Sequence, residues 1–348
     1  MNPSPHAAVV RRRRRLKPAE YVAGVLAGDR TMLARAITVI ESQLREDVEL
    51  AQDILEACLP HTGRSIRVGI TGPPGAGKST LIEALGGYIT RRRGETVAVL
   101  AVDPTSRLSR GSILGDKTRM ETLANDPKAF VRPSPSGGSL GGVARRTRET
   151  LLLCEAAGYR NVIVETVGVG QSETAVRAMV DFFLLLALPG AGDELQGIKR
   201  GIMELTDLIA VNKADGPDRA RAETARHEYQ NALRLFAPAA LGWRPRAITC
   251  SARTGEGIPA LWGVVLEHHA YLRDNGLFET VRREQLRGWM KEMLQHELVA
   301  RFHQHPAVRE NLARIELEVM EGRLSSLRAV EQLLDLYGPS ETRGNHEI

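Results

Sequence analysis

The sequence predicts an α/β fold with a mainly parallel sheet, a helical N-terminal extension and a helical C-terminal dimerisation arm. Between residues 63 and 266, short apolar runs alternate with helical stretches, which indicates a sheet covered by helices on both faces. In the flanking segments, 18–62 and 267–348, apolar residues recur at intervals of three and four, the period of amphipathic helices. Residues 1–17 form a basic segment that we expect to be a disordered tail.

The tail contains an uninterrupted run from Arg11 to Arg15, and the first 19 residues include no acid. This run accounts for much of the net charge of +5. A solvated disordered tail, an organelle-targeting segment and a partner-binding or nucleic-acid-binding arm are the three interpretations. No aromatic residue lies among these arginines, so the pattern disfavours nucleic-acid binding.

The extension shows the helical period in three successive groups, and Asp29 is expected to cap the second helix at its N-terminus. The apolar positions are Tyr21, Val22, Val25, Leu26, Leu33, Ile37, Ile40, Leu44, Val48, Ile54, Leu55 and Cys58.

Six apolar runs predict the strands of the central sheet. They are Ile66–Thr71, Val97–Val102, Val162–Glu165, Phe182–Leu188, Leu208–Val211 and Ala247–Thr249. Phe182–Leu188 is the most apolar, and its length suits a central parallel strand. No run reaches the roughly 18 apolar residues that a membrane-spanning helix needs, so we expect no membrane partner.

The first strand leads into a phosphate-binding loop that is followed by a helical pattern. Its residues are Gly72, Pro73, Pro74, Gly75, Ala76, Gly77, Lys78, Ser79 and Thr80. Glycines let backbone N–H groups surround the phosphates, Lys78 reaches the β and γ oxygens, and the Ser79 hydroxyl can ligate Mg²⁺. The sequence therefore predicts binding of a nucleoside triphosphate.

Two later segments indicate which base is bound. Asn212, Lys213 and Asp215 follow the fifth apolar run in the pattern N-K-x-D. A carboxylate such as Asp215 can accept hydrogen bonds from N1–H and the 2-amino group of guanine, a pair of donors that adenine lacks. Ser251 and Ala252, after the sixth run, are expected in a second base-contacting loop.

Carboxylates that follow other strands are candidates for the metal site. Glu165 closes the third run, and the nearby Gly168 N–H can sense the γ-phosphate. Asp103 follows the second run and Asp116 lies in the loop beyond it. Mg²⁺ binds few protein carboxylates directly and keeps several waters, so not all three need be direct ligands.

Longer strings of the chain resemble one family. Among them are Gly115-Asp116-Lys117-Thr118-Arg119-Met120, Glu165-Thr166-Val167-Gly168-Val169-Gly170-Gln171-Ser172-Glu173 and Gly192-Asp193-Glu194-Leu195-Gln196-Gly197-Ile198-Lys199. They are similar to the MeaB/ArgK-type GTPases, which attend adenosylcobalamin-dependent methylmalonyl-CoA mutase. The resemblance covers about residues 21–308. It implies GTP/GDP and Mg²⁺ as ligands, a homodimer, and a loop, 193–199, that couples nucleotide state to the mutase. By the same resemblance, the residues that bind phosphate and Mg²⁺ are Lys78, Ser79, Asp103, Asp116 and Glu165, and those that read the base are Asn212, Lys213 and Asp215.

The catalytic expectation combines this resemblance with a departure from Ras-like enzymes. There the residue after the glycine of the acidic motif is a glutamine that orients the attacking water, whereas here Val169 follows Gly168 and Gln171 lies two positions further on. We therefore expect slow intrinsic hydrolysis that the partner stimulates. The candidate catalytic residues are Lys78, Glu165, Gln196 and Lys199.

Other features leave alternatives open. The stripe of Leu286, Trp289, Met290, Met293, Leu294, Leu298, Val299 and Phe302 fits either packing against the chain's own core or a dimer arm.

His268-His269 and His303-x-His305 are expected on helix surfaces. The three cysteines are widely separated and include no C-x-x-C pair, which indicates a reducing compartment, taken as the bacterial cytoplasm rather than the mitochondrial matrix.

Two competing functions remain for comparison. A kinase linked to basic amino-acid transport is disfavoured because no H-R-D-type catalytic loop is present and the guanine motif argues against ATP. A metal-insertion GTPase would be expected to carry a site rich in Cys or His.

Overall fold

A computed structural model describes residues 16–42, 44–102, 120–133, 140–166, 172–190, 200–235 and 241–338 of the chain. Contacts divide the chain into two compact units, with the division after Arg282. No helix in the described part is long and apolar enough to cross a membrane.

The N-terminal extension consists of three helices, α1 (Pro18–Leu26), α2 (Arg30–Glu41) and α3 (Arg45–Cys58). Asp29 caps α2 as predicted, because its Oδ1 accepts hydrogen bonds from the backbone N–H groups of Thr31 at 2.7 Å and Met32 at 3.2 Å. The apolar faces of these helices are buried with one face of the sheet, in a core that includes Val25, Leu33, Ile37, Ile54 and Cys58.

The central sheet has seven strands within the described residues. They are β1 (Ile66–Thr71), β2 (Val97–Val102), β3 (Ala129–Arg132), β4 (Asn161–Thr166), β5 (Phe182–Ala187), β6 (Leu208–Val211) and β7 (Arg246–Thr249). Their order is β3-β2-β4-β1-β5-β6-β7 and every pairing is parallel. The predicted parallel α/β fold is confirmed. Strand order reverses beside β1, so the loop after β1 opens at the switch point where such sheets bind ligands.

The edge strand β3 is absent from the sequence prediction. It is four residues long and pairs on one side, with β2. A short segment with three apolar residues has too little period-2 pattern to stand out in the sequence, and its place becomes evident only when β2 lies beside it.

Seven α-helices in the described part accompany the strands. They are α4 (Lys78–Gly87), α5 (Glu121–Asn125), α6 (Leu140–Ala156), α7 (Ser172–Arg177), α8 (Arg200–Glu204), α9 (Arg219–Arg234) and α10 (Ile258–Asp274). Alternation along β1 assigns its two faces: Val68 and Ile70 belong to the core with α4 and α10. A Cβ at Gly69 would lie 2.7 Å from the Phe183 ring and 2.9 Å from Val176 on the opposite face.

Helix α11 (Phe278–Gln304) leads into the second unit, which continues with α12 (Pro306–Met320) and α13 (Ser326–Tyr337). Pro306 occupies the first turn of α12, where its missing N–H costs nothing and its fixed φ favours the start of a helix. Phe302 packs its ring against Tyr337 with centroids 5.4 Å apart.

The expectation that His268 lies on a helix surface is wrong. His268 is buried between the rings of Phe182 and Trp243, at centroid distances of 5.2 and 4.8 Å. Burial lowers the pKa of His268, and the nearby Asp207 carboxylate opposes that shift only in part. The imidazole therefore behaves as a neutral aromatic core residue, which its sequence position on α10 did not reveal.

Candidate nucleotide-binding site

The loop between β1 and α4 depends on glycine at two points of close approach. Gly72 has φ +153°, and a Cβ there would lie 2.4 Å from the Leu186 carbonyl oxygen. Gly77 has φ +88°, immediately before α4, and a Cβ there would lie 2.7 Å from Asn212 Nδ2. Both positions exclude a side chain by backbone conformation and by space, so the loop passes close to β5 and to the loop after β6.

Lys78, the first residue of α4, directs its amine back over this loop. Its Nζ donates hydrogen bonds to the carbonyl oxygens of Gly72 at 2.7 Å and Pro73 at 3.2 Å. Burial lowers the pKa of Lys78, whereas the negative charges of Glu165 and Glu173 raise it. The amine is thus held at the loop, where phosphate oxygens could replace the two carbonyls as its partners.

The remaining loop residues surround this amine with different accessibility. Ala76 is buried, Pro74, Gly75 and Thr80 are exposed, and Ser79 is half-buried. The Ser79 hydroxyl donates to Glu165 Oε1 at 3.2 Å, joining the first turn of α4 to the end of β4. Two hard oxygen groups side by side suit Mg²⁺.

Five of the predicted site residues lie outside the described residues. They are Asp103, Asp116, Gly168, Gln196 and Lys199. Their predicted roles stay predictions.

Asn212 joins the phosphate loop to the loop after β7. Its Nδ2 donates to the Ala76 carbonyl oxygen at 2.8 Å, and its Oδ1 accepts from the Ala252 backbone N–H at 3.0 Å. The side chain is buried, so both bonds form in a low-dielectric setting where an unpaired amide would be costly. One amide side chain therefore sets the distance between the phosphate loop and the second predicted base loop.

Asp215 directs both carboxylate oxygens to partners on the loop after β7. Oδ1 accepts from the Ser251 hydroxyl at 2.7 Å, and Oδ2 pairs with the Arg253 guanidinium. The Ser251 hydrogen bond and then Arg253 lower the pKa of Asp215. Lys213, exposed, has φ +60°, the one positive value at a non-glycine among the described residues.

The structure thus brings together the described members of the predicted site at the carboxyl ends of β1, β4, β6 and β7. Two further charged residues were missed by the sequence analysis. Arg253 follows Ser251 and Ala252 directly, and that position was the available signal. Glu173 is buried in the first turn of α7 and its charge reaches Lys78; no spacing pattern marked it.

A multidentate metal site of the Cys or His type is absent from the described part of the chain. No group of three or more His, Cys, Asp or Glu side chains there could hold a metal ion. Cys58, Cys154 and Cys250 are free and buried.

Comparisons with known proteins identify the family. The model of the methylmalonyl Co-A mutase-associated GTPase MeaB matches residues 33–307. The chain belongs to this family. Its match spans the three-helix extension from α2 onward, the whole sheet and α11, so the resemblance seen in the sequence is confirmed.

Individual relatives are similar in sequence to this chain over about nine-tenths of its length. A protein of Caulobacter vibrioides that is named as a GTPase is 51% identical over 314 residues, which are 90% of this chain and 96% of that protein. The mitochondrial methylmalonic aciduria type A homolog of Mus musculus is 45% identical over 324 residues, 90% of this chain and 78% of that one. The crystal structure titled LAO/AO transport system kinase has a TM-score of 0.74 and 38% identity, covering 92% of this chain and 97% of that one.

Proposed function

We propose that the chain is a GTP-hydrolysing chaperone for an adenosylcobalamin-dependent acyl-CoA mutase, with methylmalonyl-CoA mutase as the first candidate. In this role GTP hydrolysis gates cofactor loading into the mutase and its protection. The observation that supports guanine-nucleotide binding most directly is the Asn212 side chain, which joins Ala76 of the phosphate loop to Ala252 of the base loop. Membership of the family supports the mutase partner.

The roles within the site follow from chemistry. The loop 72–80 and Lys78 bind the phosphates, and Asn212, Lys213, Asp215, Ser251 and Ala252 form the base pocket. Ser79 and Glu165 offer oxygen ligands that fit Mg²⁺, with Asp103 and Asp116 as further carboxylates. When bound, Mg²⁺ neutralises charge on the β and γ phosphates.

Catalysis in this proposal is slow until the mutase binds. Phosphoryl transfer depends on positioning and on positive charge near the transition state, and a group ordered by a partner can contribute ~10³–10⁵ in rate. Loop 193–199 supplies such candidates in Gln196 and Lys199.

The test is steady-state phosphate release with and without the cognate mutase. We expect the mutase to stimulate release, and Lys199→Ala or Gln196→Ala to abolish most of the stimulation with little change in GTP affinity. Lys128→Ala is a matched control, because it removes the same positive charge from a lysine that is distant in sequence from loop 193–199. Lys128 donates its hydrogen bond to the Gly94 carbonyl oxygen instead. A fast basal rate, or loop variants that respond like the parent protein, would contradict this coupling role.

Homodimerisation through the arm is part of the same proposal. On α11, the side chains of Leu286, Met290, Leu294 and Leu298 are spaced by four residues, and each is at least half exposed. A stripe of this kind on one helix face is typical of a helix that packs against another. We infer that the stripe covers its counterpart on a second copy, while Trp289, Met293 and Phe302 are half-buried beside it.

Two further assays on the purified protein distinguish this proposal from the competing functions. Transfer of labelled γ-phosphate to a protein acceptor, with no mutase effect, would favour a kinase of the kind named for the similar crystal structure. Tight binding in a titration with transition-metal ions would favour metal insertion. Buried, unpaired cysteines are consistent with the bacterial cytoplasm as the compartment.

A further inference from the structure

The base-reading carboxylate of Asp215 already has a charged partner. Its Oδ2 pairs with the guanidinium of Arg253, while Oδ1 accepts from Ser251. Asp215 precedes a short 3-10 turn after β6, and Arg253 lies in the loop after β7. The pair therefore joins these two loops.

The two partners of Asp215 differ in whether guanine can coexist with them. Ser251 is fully buried, donates a single hydrogen bond, and leaves lone pairs on the carboxylate, which has about four acceptor sites. Arg253 is a planar fork of N–H donors with 78% of its side chain exposed, and it approaches from the open side. Ser251 can therefore keep its hydrogen bond when the base binds, whereas Arg253 holds the other carboxylate oxygen, Oδ2, from the solvent-exposed side.

The guanidinium of Arg253 and the guanine base carry similar hydrogen-bond donors. In guanine, N1 and the 2-amino nitrogen are both bonded to C2, so their N–H groups form a guanidine-like pair of parallel donors along one edge of the base. An arginine guanidinium offers the same parallel N–H pair to a carboxylate. We propose that Arg253 is a built-in competitor for the guanine base, holding Asp215 in the nucleotide-free protein until the base displaces it.

This inference rests on the proposed function, in which Asp215 reads the base. It predicts a kinetic signature as well as an affinity. If only the open fraction of molecules can accept the base, the apparent Kd rises by the inverse of that fraction, and the effect lies in the association rate rather than in dissociation. Since exposed ion pairs are weak, the expected effect is roughly two- to fivefold.

A neighbouring arginine provides a matched control. Arg219 pairs with Glu256, and its side chain is 68% exposed, so Arg219→Ala removes the same charge near the base loop without touching Asp215. Any general electrostatic effect on a nucleotide would appear in both variants.

The experiment compares GDP binding to the full-length protein, Arg253→Ala and Arg219→Ala by stopped-flow fluorescence and calorimetry at low and high salt. We expect Arg253→Ala to bind GDP roughly two- to fivefold more tightly than the parent through faster association, with an advantage that shrinks in high salt. Arg219→Ala should match the parent. In an Asp215→Asn background, measured with xanthosine diphosphate, Arg253→Ala should have no effect.

Two other outcomes would overturn the inference. Weaker GDP binding by Arg253→Ala would mean that Arg253 contacts the bound base instead of competing with it. Equal binding by the parent and Arg253→Ala would mean that the ion pair has no influence. Failure of the proposed function is distinguishable, because Asp215→Asn would then leave the preference for guanine over xanthine unchanged.

Discussion

Replacing Arg282 by alanine is expected to destabilise the first unit strongly. Arg282 lies in the first turns of α11, where its Nε and Nη2 donate to the two carboxylate oxygens of Asp181, each at 2.6 Å. Its Nη2 also donates to the Ser65 carbonyl oxygen at 2.8 Å, and its Nη1 lies 3.4 Å from Glu155 Oε1. Glu155 is shared with Arg67, which donates to both of its oxygens at 2.8 and 2.7 Å.

The magnitude follows from burial. The side chains of Asp181 and Glu155 are each 1% exposed and that of Arg282 is 8% exposed. Removing one partner of a buried ion pair leaves an uncompensated charge and costs about 3–5 kcal/mol, a large part of the ~5–15 kcal/mol by which domains are stable. Asp181 would keep the Arg67 backbone N–H at 2.9 Å, which does not replace a cation.

The network also determines how stability depends on pH. Burial raises the pKa of Glu155, but hydrogen bonding and charge from Arg67, with the charge of Arg282, outweigh it and hold that pKa below its usual 4.5. Stability from this group is therefore present above about pH 4.5 and is lost as the pH falls through the lower folded-state pKa. Without Arg282, the part of the unfolding free energy that is lost at acid pH should become smaller.

The assay is urea unfolding followed by circular dichroism, beside GDP binding. The network lies at the beginnings of β1 and β5, whereas the nucleotide site lies at the carboxyl ends of β1, β4, β6 and β7, so GDP affinity of the folded variant should be unchanged. Arg283→Ala, at the adjacent exposed position, is the control and should change stability by less than ~0.5 kcal/mol. A loss below about 1 kcal/mol for Arg282→Ala would refute the reasoning.

Three further predictions concern the base, the arm and pH. Asp215→Asn should weaken GTP binding roughly ten- to hundredfold and shift preference to xanthosine triphosphate; tighter ATP than GTP binding by the parent in competition assays would contradict the base assignment. A chain ending after Glu284 should bind GDP and sediment as a monomer where the full chain is a dimer, whereas ending after Leu272 also removes Arg282 and should destabilise the fold; a full-length monomer at micromolar concentration would exclude the dimer. His268 has a lowered pKa in the folded state, so the unfolded state binds more protons below about pH 6.5; His268→Phe should reduce the loss of unfolding free energy between pH 7 and 5.5, whereas exposed His303→Phe should not.

Much of the nucleotide site could be predicted because each part is contiguous in the chain. The loop 72–80 is a contiguous segment whose Gly72, Gly75 and Gly77 adopt positive φ, a local requirement that residue type alone can signal, and the N-K-x-D pattern marks a strand end in the same way. The order of apolar runs then predicts which loops share the carboxyl edge of a parallel sheet. Strand β3 was missed because its pairing with β2, and not its own pattern, identifies it.

The sequence by itself determined the α/β fold, the phosphate loop and the guanine motif, since these depend on residue type at fixed local spacing. Only the tertiary structure decided that Asn212 bonds Ala76 and Ala252, that Arg253 pairs with Asp215, and that His268 is buried. Each of these contacts joins segments far apart in the chain. Their partners depend on which elements pack together and on the side-chain rotamers that packing allows, and neither is encoded in local spacing.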